Sequence, residues 1–441
     1  MSSAAHDGPR PARRALWRRL ALSLALSLGL LVVLVEVGSR WADGVVAERR
    51  ARPDWNASED AQGLAGKLCL DTLEYGTLKR ASEQKNARAM PHPYLGYALR
   101  PGFSTPPGAK QQASHNTLGF RGKETTWEKP QGVFRIVTTG GSSVYGQSES
   151  NDAAVWSQRL EDHLNERLAP RRFEVVNLGV SGWNSHEMLV NLALRGLDLE
   201  PDLVVVHESI NDMRCALYTR GGEPTRDNLH WRATWPVDRP SALEASLAKS
   251  RAYLVWRRYM TDYVAERSDL GFYAIANYDP QGPDPYRHYP GAIPDLGFET
   301  YRRNLRQIVA LCRARGAEVM IATQALPRWH LEQAASYREQ CDAFERIKAV
   351  QREVAAELSV EVCDNAGVLE AALDAELQAE IARRAAAEPA KDRAALEAEA
   401  KAHVRVHGLY KWEVHPNDSG SDLVARTIAD CLAASPLLQP R

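Results

Sequence analysis

Two adjacent serines stand on a glycine-rich turn in GGSSVYG (140–146), directly after an apolar run. A serine on a tight turn between a strand and a helix presents its hydroxyl at the sheet edge, where the dipole of the following helix favours negative charge. The same pattern is also typical of an ordinary strand–helix turn in which serine caps the helix. Because no G-K-[ST] sequence follows, a nucleotide-binding phosphate loop is disfavoured.

Three further motifs carry groups that could assist a nucleophilic serine. Gly182, in NLGVSGWNS, could offer an unhindered backbone N–H to a developing oxyanion. Asn211, in ESIND, could donate its side-chain amide to the same oxyanion. His415, in KWEVHPNDSG, precedes a final amphipathic segment and could act as a general base. Each motif is weak alone, but the four in this order predict acyl-transfer chemistry.

The elements that must position these motifs are short apolar strands alternating with amphipathic helices. Strands are predicted at 133–139, 173–179, 202–209, 317–324 and 360–365. Helices are predicted at 154–168, 185–197 and 301–316. This alternation predicts an α/β fold in which a parallel sheet is covered by helices on both faces. Ligands of such sheets bind beyond the carboxyl ends of the strands, and the candidate residues follow strand ends.

The N-terminus has the composition of a membrane anchor. A cytoplasmic basic segment at 1–19 contains five arginines and precedes the apolar run Leu20–Val35. With its flanking residues this run is long enough to span a bilayer, so a transmembrane signal anchor is predicted at 20–37. The positive-inside rule then places the rest of the chain outside the cytoplasm. A cleaved signal peptide is the alternative, although its apolar core would be unusually long and no clear A-x-A site follows closely.

A membrane-proximal region is predicted at 38–130, packing on a catalytic domain at 131–441. Its patches HPYLGYALRPG (92–102) and NTLGFRG (116–122) have the composition of turns and short strands. No role for either patch follows from the sequence.

Two insertions are predicted in the catalytic domain. The segment 213–300 is long, aromatic and Pro-rich, which is typical of functional loops and lids. The segment 366–404 is rich in Ala, Glu and Arg, which is typical of a solvated helical pair.

Net charge and cysteine content make several other classes of function unexpected. The formal net charge of −1 gives no electrostatic reason to expect a nucleic acid as partner. The six cysteines form no C-x-x-C pair, so a zinc site or a dithiol redox motif is not expected. The sequence does not fix the disulfide pairing or the oligomeric state. Buried free thiols are favoured over disulfides, with Cys312 and Cys363 as examples.

The chain resembles the SGNH hydrolases, also called GDSL-type esterases and lipases, over residues 130–215 and 405–435. The G-D-S motif of that family is matched by Gly140-Gly141-Ser142, which points to Ser142 rather than Ser143. The resemblance implies a flavodoxin-like three-layer α/β/α fold with a central five-stranded parallel sheet. It implies no metal and no cofactor.

The resemblance also assigns roles to the four motifs. Ser142 is expected to be the nucleophile and His415 its general base. The oxyanion hole is expected to consist of the backbone N–H groups of Ser142 and Gly182 and the side-chain amide of Asn211.

The sequence departs from the family pattern at three positions. Gly141 replaces the aspartate of G-D-S, as in a bacterial G-G-S subgroup with membrane anchors, and Ser209 replaces the glycine of the third motif. The family's acid lies three residues before the histidine, where this chain has Trp412. Glu413 is the best local substitute and is retained as a candidate catalytic residue. Otherwise a backbone carbonyl would orient His415, giving a serine–histidine dyad.

The expected function is that of an extracytoplasmic, membrane-anchored serine esterase. The ester would be a small molecule or an O-acyl group on a cell-surface glycan, and the membrane would be contacted through the N-terminal helix. An acyltransferase that modifies a polysaccharide would use the same catalytic groups. A catalytically weak or inactive binding module on this fold is the third alternative, because fold alone does not imply activity.

Overall fold

The structure is a computed structural model of the 441-residue chain. The residues that it describes are 11–50, 68, 88–92, 94–105, 109, 111–217, 226–228, 242–247, 249–256, 259–260, 293, 295–330, 337–412 and 414–438. The chain divides into two compact units. The first comprises Met1–Ser82 and Pro240–Glu266, and the second comprises Glu83–Arg239 and Arg267–Arg441.

The first unit is dominated by one long helix, α1 (Pro11–Arg50), and also contains a short helix at Ala242–Leu247. Among the described residues, α1 is the one helix that is long and apolar enough to cross a membrane, a property that a signal sequence shares. Glu36, just after the apolar run, accepts hydrogen bonds from the Ala252 N–H at 3.0 Å and from the Ser250 hydroxyl at 3.1 Å.

A five-stranded parallel sheet forms the centre of the second unit. The strands of this unit are β1 (Ala89–His92), β2 (Gly96–Leu99), β3 (Val133–Gly140), β4 (Arg172–Asn177), β5 (Leu203–His207), β6 (Glu318–Ala322), β7 (Glu361–Cys363), β8 (Tyr410–Trp412) and β9 (His415–Pro416). The sheet has the order β4-β3-β5-β6-β7, and every pairing in it is parallel. Counted from β3, this is the 2-1-3-4-5 order of flavodoxin-like folds. The predicted fold class and its five strands are confirmed.

Helices cover both faces of this sheet. They are α2 (Ser142–Tyr145), α3 (Trp156–Arg167), α4 (Ser185–Leu194), α5 (Ile210–Leu217), α6 (Asp295–Ala314), α7 (Tyr337–Leu358), α8 (Asn365–Ala387), α9 (Arg393–His407) and α10 (Asp418–Ala434). Successive strand residues point to opposite faces. In β5, Val204 and Val206 therefore pack with α4 to α7, whereas Leu203 and Val205 pack with α3, α8 and α10.

The sequence predicted the helices α8 and α9 well but placed the start of α6 too late. The Ala-, Glu- and Arg-rich segment forms the expected helical pair α8 and α9. Helix α6 begins at Asp295, earlier than the predicted start at 301. Its first turn contains Gly297, which looks like a helix breaker in the sequence. A Cβ atom there would lie 2.4 Å from Ala216 Cα, so the glycine permits close packing on α5.

One expectation about the cysteines is wrong. Cys363, at the end of β7, is not a free thiol but forms a disulfide with Cys431 in α10, with a Cα–Cα distance of 5.7 Å. Both residues pack within the same apolar layer, so the bridge links an edge strand to the last helix. Cys312, in α6, is a buried free thiol as expected.

Candidate active site

The turn that carries the predicted nucleophile Ser142, here called the nucleophile turn, joins β3 to the short helix α2. A Cβ atom on Gly140 would lie 2.3 Å from the carbonyl oxygen of His207, so only glycine lets the end of β3 pass this close to β5. The chain leaves α2 at Gly146, whose φ of 85° is left-handed. Ser142 is therefore held at the carboxyl edge of the sheet, where ligands of this fold class bind.

Ser142 and His415 lie within hydrogen-bond distance of each other. The distance between Ser142 Oγ and His415 Nε2 is 2.6 Å, although the two residues are 273 positions apart in the chain. His415 lies on β9, which pairs with β8 in a short antiparallel hairpin. The neighbouring Ser143 points into the interior, where its Oγ accepts a hydrogen bond from Gln324 Nε2 at 2.7 Å. The geometry therefore distinguishes the two serines and pairs Ser142 with the histidine.

The environment of His415 favours the neutral form of its imidazole. Burial lowers its pKa to about 4, and the positive charge of Arg214 acts in the same direction. A neutral ring can accept the Ser142 proton at Nε2 when Nδ1 carries its own proton. His415 Nδ1 is buried and has no hydrogen-bond partner among the described residues. Glu413, predicted to orient this ring, lies outside the described residues.

Asn211 lies in the first turn of α5, immediately beyond β5. Its Nδ2 donates a hydrogen bond to the carbonyl oxygen of Trp183 at 2.8 Å. A second contact, with Glu208 Oε2, is long at 3.4 Å. An amide nitrogen carries two hydrogens, and the second contact is near the limit for a hydrogen bond. The Asn211 amide is thus fixed by one strong bond and keeps one weakly engaged hydrogen.

Gly182 lies on the turn that follows β4. Trp183 N donates to the Val180 carbonyl at 3.1 Å and closes the turn. The N–H of Val180 in turn donates to the carbonyl of Gly140 at 3.1 Å, which ties this turn to the nucleophile turn. Gly182 has a φ of 83° and is exposed, whereas Trp183 beside it is buried. The predicted oxyanion donors Gly182 and Asn211 both adjoin Trp183.

A residue that the sequence analysis missed, Glu208, links the nucleophile turn to Asn211. It is fully buried just beyond the end of β5. Its Oε2 accepts a hydrogen bond from the Gly141 N–H, and its Oε1 accepts one from the Asn211 N–H, both at 2.8 Å. Burial raises the pKa of Glu208 to about 8, and the nearby carboxyl group of Asp212 acts in the same direction.

Glu208 also explains the glycine in the nucleophile motif. A Cβ atom on Gly141 would lie 2.4 Å from Asn211 Nδ2 and 2.5 Å from Glu208 Oε2. The space for a side chain at position 141 is therefore filled by the carboxyl group of Glu208. No local pattern in the sequence indicated a role for Glu208, because Gly141 lies 67 positions away from it.

The upstream patch NTLGFRG contacts the nucleophile helix through Arg121. The guanidinium group lies 4.6 Å from the centroid of the Tyr145 ring and donates to the Gly146 carbonyl at 3.2 Å. Arg121 is itself held by an ion pair with Asp152 at 2.5 Å. Tyr145 Oη lies 3.0 Å from His115 Nε2. The patch therefore fixes the end of the helix that begins with Ser142.

Within the part of the chain that the structure describes, no group of three or more His, Cys, Asp or Glu side chains is arranged to hold a metal ion.

Comparison with known proteins identifies the family. Residues 138–423 match the sequence profile of the GDSL-like Lipase/Acylhydrolase family. A search of curated proteins gives no match. Similar solved structures include LAE5, an alpha/beta hydrolase enzyme from the metagenome of Lake Arreo, Spain, with 14% identity and a TM-score of 0.37, covering 68% of this chain and 94% of that chain. A catalytic mutant of Axe2, an acetylxylan esterase from Geobacillus stearothermophilus, has 12% identity and a TM-score of 0.37, covering 70% of this chain and 97% of that chain.

The family match runs from the last residues of β3 into α10, which is well over half of the chain, and it includes all four motifs. We conclude that the chain belongs to the GDSL-like lipase/acylhydrolase family and is a hydrolase of ester bonds.

Proposed function

We propose that Ser142 is the nucleophile and His415 the general base in the hydrolysis of a carboxylic ester. The observation that carries this proposal is the 2.6 Å distance between Ser142 Oγ and His415 Nε2. A base within this distance can take the hydroxyl proton as the oxygen attacks a carbonyl carbon. The lowered pKa of His415 keeps the ring unprotonated at neutral pH, as a general base requires.

In the first half-reaction, Ser142 Oγ attacks the ester carbonyl while its proton moves to His415 Nε2. The tetrahedral intermediate collapses when the protonated histidine returns that proton to the leaving alcohol, and an acyl-serine remains. Water then attacks the acyl group, with His415 again removing a proton. The carboxylic acid leaves, and Ser142 and His415 regain their starting protonation states.

The negative charge on the intermediate needs donors that are already in place. We assign this role to the backbone N–H groups of Ser142 and Gly182 and to the side-chain amide of Asn211. The Gly182 turn supports the assignment because it is hydrogen-bonded to Gly140, two residues before the nucleophile. Asn211 supports it because an oxyanion can compete for the hydrogen that makes only the 3.4 Å contact with Glu208.

Glu413 remains a candidate for orienting His415. If a carboxylate is absent from Nδ1, the pair works as a dyad in which a carbonyl or a water holds the ring. Both arrangements use the same nucleophile and the same oxyanion donors. They differ in the protonation behaviour of His415, which experiment can separate.

We further propose that the enzyme is anchored in a membrane and acts outside the cytoplasm. The apolar part of α1 follows a cluster of arginines, which is the pattern of an anchor with its N-terminus in the cytoplasm. The Cys363–Cys431 disulfide is consistent with an oxidising compartment, since such bonds are rare in the cytosol. O-acyl groups on a cell-surface glycan are the substrate class that this location makes accessible.

The test compares Ser142→Ala with its neighbour Ser143→Ala in the full-length protein. Ser142→Ala should abolish turnover of p-nitrophenyl acetate and labelling by a fluorophosphonate probe. Ser143→Ala removes a hydroxyl of the same size that faces Gln324, so labelling should persist. Labelling that survives in Ser142→Ala would overturn the assignment. Acetate release from an O-acetylated polysaccharide then tests the substrate class, and acetyl transfer to added glycan instead of water would indicate an acyltransferase.

A further inference from the structure

Tyr97 connects the other upstream patch, HPYLGYALRPG, to the proposed oxyanion hole. It lies on β2, and its hydroxyl donates a hydrogen bond to the carbonyl oxygen of Ser181 at 2.5 Å. Its ring packs beside Trp183, with the centroids 6.4 Å apart. The β1–β2 hairpin and the turn after β4 thus share one small apolar cluster, which contains Leu95, Ala98, Leu99, Tyr145, Val180 and Trp183.

The turn that Tyr97 contacts has one of two closely related β-turn conformations. Trp183 N bonds to the Val180 carbonyl, so Ser181 and Gly182 are the two central residues of a β-turn. Gly182 has a φ of 83°, whereas Ser181 does not have a positive φ, and this combination defines a type II turn. Type I and type II turns differ by a rotation of the central peptide unit, which here joins Ser181 to Gly182.

The orientation of that peptide unit decides where the Gly182 N–H points. In a planar trans peptide, the carbonyl oxygen and the N–H lie on opposite sides of the chain. A hydroxyl that holds the Ser181 oxygen on one side therefore holds the Gly182 N–H on the other. None of the described residues accepts a hydrogen bond from this N–H, and Gly182 is exposed while Ser181 is buried. The N–H is thus available to a ligand only while the type II orientation is kept.

We propose that Tyr97 is a positioning residue that fixes the Gly182 N–H in the oxyanion hole. The inference rests on the proposed function, because it takes Gly182 as an oxyanion donor. Tyr97 acts through the Ser181 carbonyl and does not touch the reacting atoms. Glycine at 182 makes such a restraint necessary, since it tolerates both turn types. It also makes the contact possible, because a Cβ atom there would lie 2.7 Å from Tyr97 Oη.

Tyr97→Phe tests the proposal because it removes the hydroxyl and keeps the packed ring. In the full-length protein in detergent, kcat for p-nitrophenyl acetate should fall about 10-fold, less than the 10²–10³ typical of losing a donor outright. KM should stay within about 2-fold, because the bond acts on the intermediate and not on substrate binding. The rate of fluorophosphonate labelling should fall in parallel, because the oxyanion hole also stabilises the phosphonyl oxygen. Tyr94→Phe, in the same hairpin with its side chain exposed, is the matched control and should behave as wild type.

The outcomes separate this inference from the proposed function. If the wild type turns over ester and Ser142→Ala does not, the proposed function is supported. If Tyr97→Phe is then as fast as the wild type, the inference about Tyr97 is overturned alone. A lower melting temperature with unchanged kcat and labelling rate would assign Tyr97 a purely structural role and overturn it as well. A wild type that neither turns over ester nor labels would overturn both.

Discussion

Different kinds of contact hold the two sides of the proposed site, which we call the nucleophile side, around Ser142, and the base side, around His415. On the nucleophile side, buried side chains bind backbone groups directly. Glu208 accepts hydrogen bonds from the N–H groups of Gly141 and Asn211. Gln324 Oε1 accepts hydrogen bonds from the N–H groups of Ser209 and Ile210. The turn that presents the serine is thereby tied to the start of α5.

The base side relies on a short hairpin and a helix cap. His415 lies on β9, and Asn417 caps α10 through hydrogen bonds from the Ser419 and Gly420 N–H groups. Asn417 also donates to the Gly408 carbonyl at 2.6 Å. These contacts fix the backbone on either side of His415, whereas its Nδ1 has no partner among the described residues. The fold therefore fixes the position of His415 more firmly than it fixes the electrostatic environment of the imidazole.

Among the residues that assist the Ser142–His415 pair, Asn211 on the nucleophile side should give the largest effect. Asn211→Ala removes a proposed oxyanion donor, so kcat for p-nitrophenyl acetate should fall by about 10²–10³ while KM changes little. Steady-state kinetics measure both. Asn165→Ala, which removes a partly buried amide that bonds to the backbone of Phe173 in another part of the domain, controls for loss of a hydrogen-bonded amide. A kcat within about 3-fold of wild type would remove Asn211 from the oxyanion hole.

A smaller effect is expected at Glu208, which positions the nucleophile side without touching substrate. Glu208→Gln keeps the shape but replaces one acceptor oxygen by an NH₂ group, which would face the N–H of Gly141 or Asn211. Loss of one such bond should lower kcat by about 10-fold. The same kinetic assay measures it. Unchanged kcat would mean that the nucleophile side does not depend on this carboxyl group.

The pH dependence of stability gives Glu208 a second signature. Its pKa is about 8 in the folded protein, above the value of about 4.3 expected when unfolded. The folded state therefore binds this proton more tightly, and wild type should lose stability as pH rises from about 4.3 to 8. Glu208→Gln lacks this dependence, so its melting temperature should rise relative to that of wild type as the pH increases across this window. Parallel melting curves for the two proteins would contradict the raised pKa.

The smallest effect is expected on the base side, at Glu413. Because the His415 pKa is about 4, kcat/KM should stay high as pH falls and drop only near pH 4, where the base becomes protonated. In a dyad, Glu413→Gln should change kcat by less than about 3-fold and leave this acid limb in place. Glu388→Gln, an exposed residue of the α8–α9 region, is the matched control.

A triad would give the opposite result for Glu413. A carboxylate at Nδ1 favours the protonated imidazole, so the acid limb of wild type would lie nearer pH 6.5. Glu413→Gln would then move that limb to lower pH and reduce kcat substantially. Such a shift would show that the base side is oriented as in the usual family pattern and would weaken the contrast between the two sides.

The sequence predicted the sheet, and the position of the candidate residues beyond its strand ends, for a local reason. Each strand is a short apolar run, and Ser142, Gly182 and Asn211 each follow the end of one such run. Parallel strands end at a common edge, so the order of motifs along the chain is enough to bring them together. The motif before the last helix made His415 the candidate base, and the structure brings it to Ser142.

The supporting residues were not predictable, because their partners are remote in sequence. Tyr97 bonds to a carbonyl 84 residues away, Glu208 to an N–H 67 residues away, and Gln324 to a hydroxyl 181 residues away. A tyrosine on a short strand or a glutamate at a strand end has no local pattern that reveals such contacts. The disulfide was missed for the same reason, since Cys363 has the neighbours of an ordinary core residue.

The Cys363–Cys431 bridge keeps the proposed catalytic pair in one covalent molecule even when the chain is cut between the two cysteines. The two cysteines are 68 positions apart, and the segment between them contains α8, α9 and the strand that carries His415. A single protease cut anywhere in this segment leaves both fragments covalently joined, because each retains one of the two sulfurs. The exposed turn between α8 and α9 is the type of site where proteases act, and a cut there would not release the base from the nucleophile.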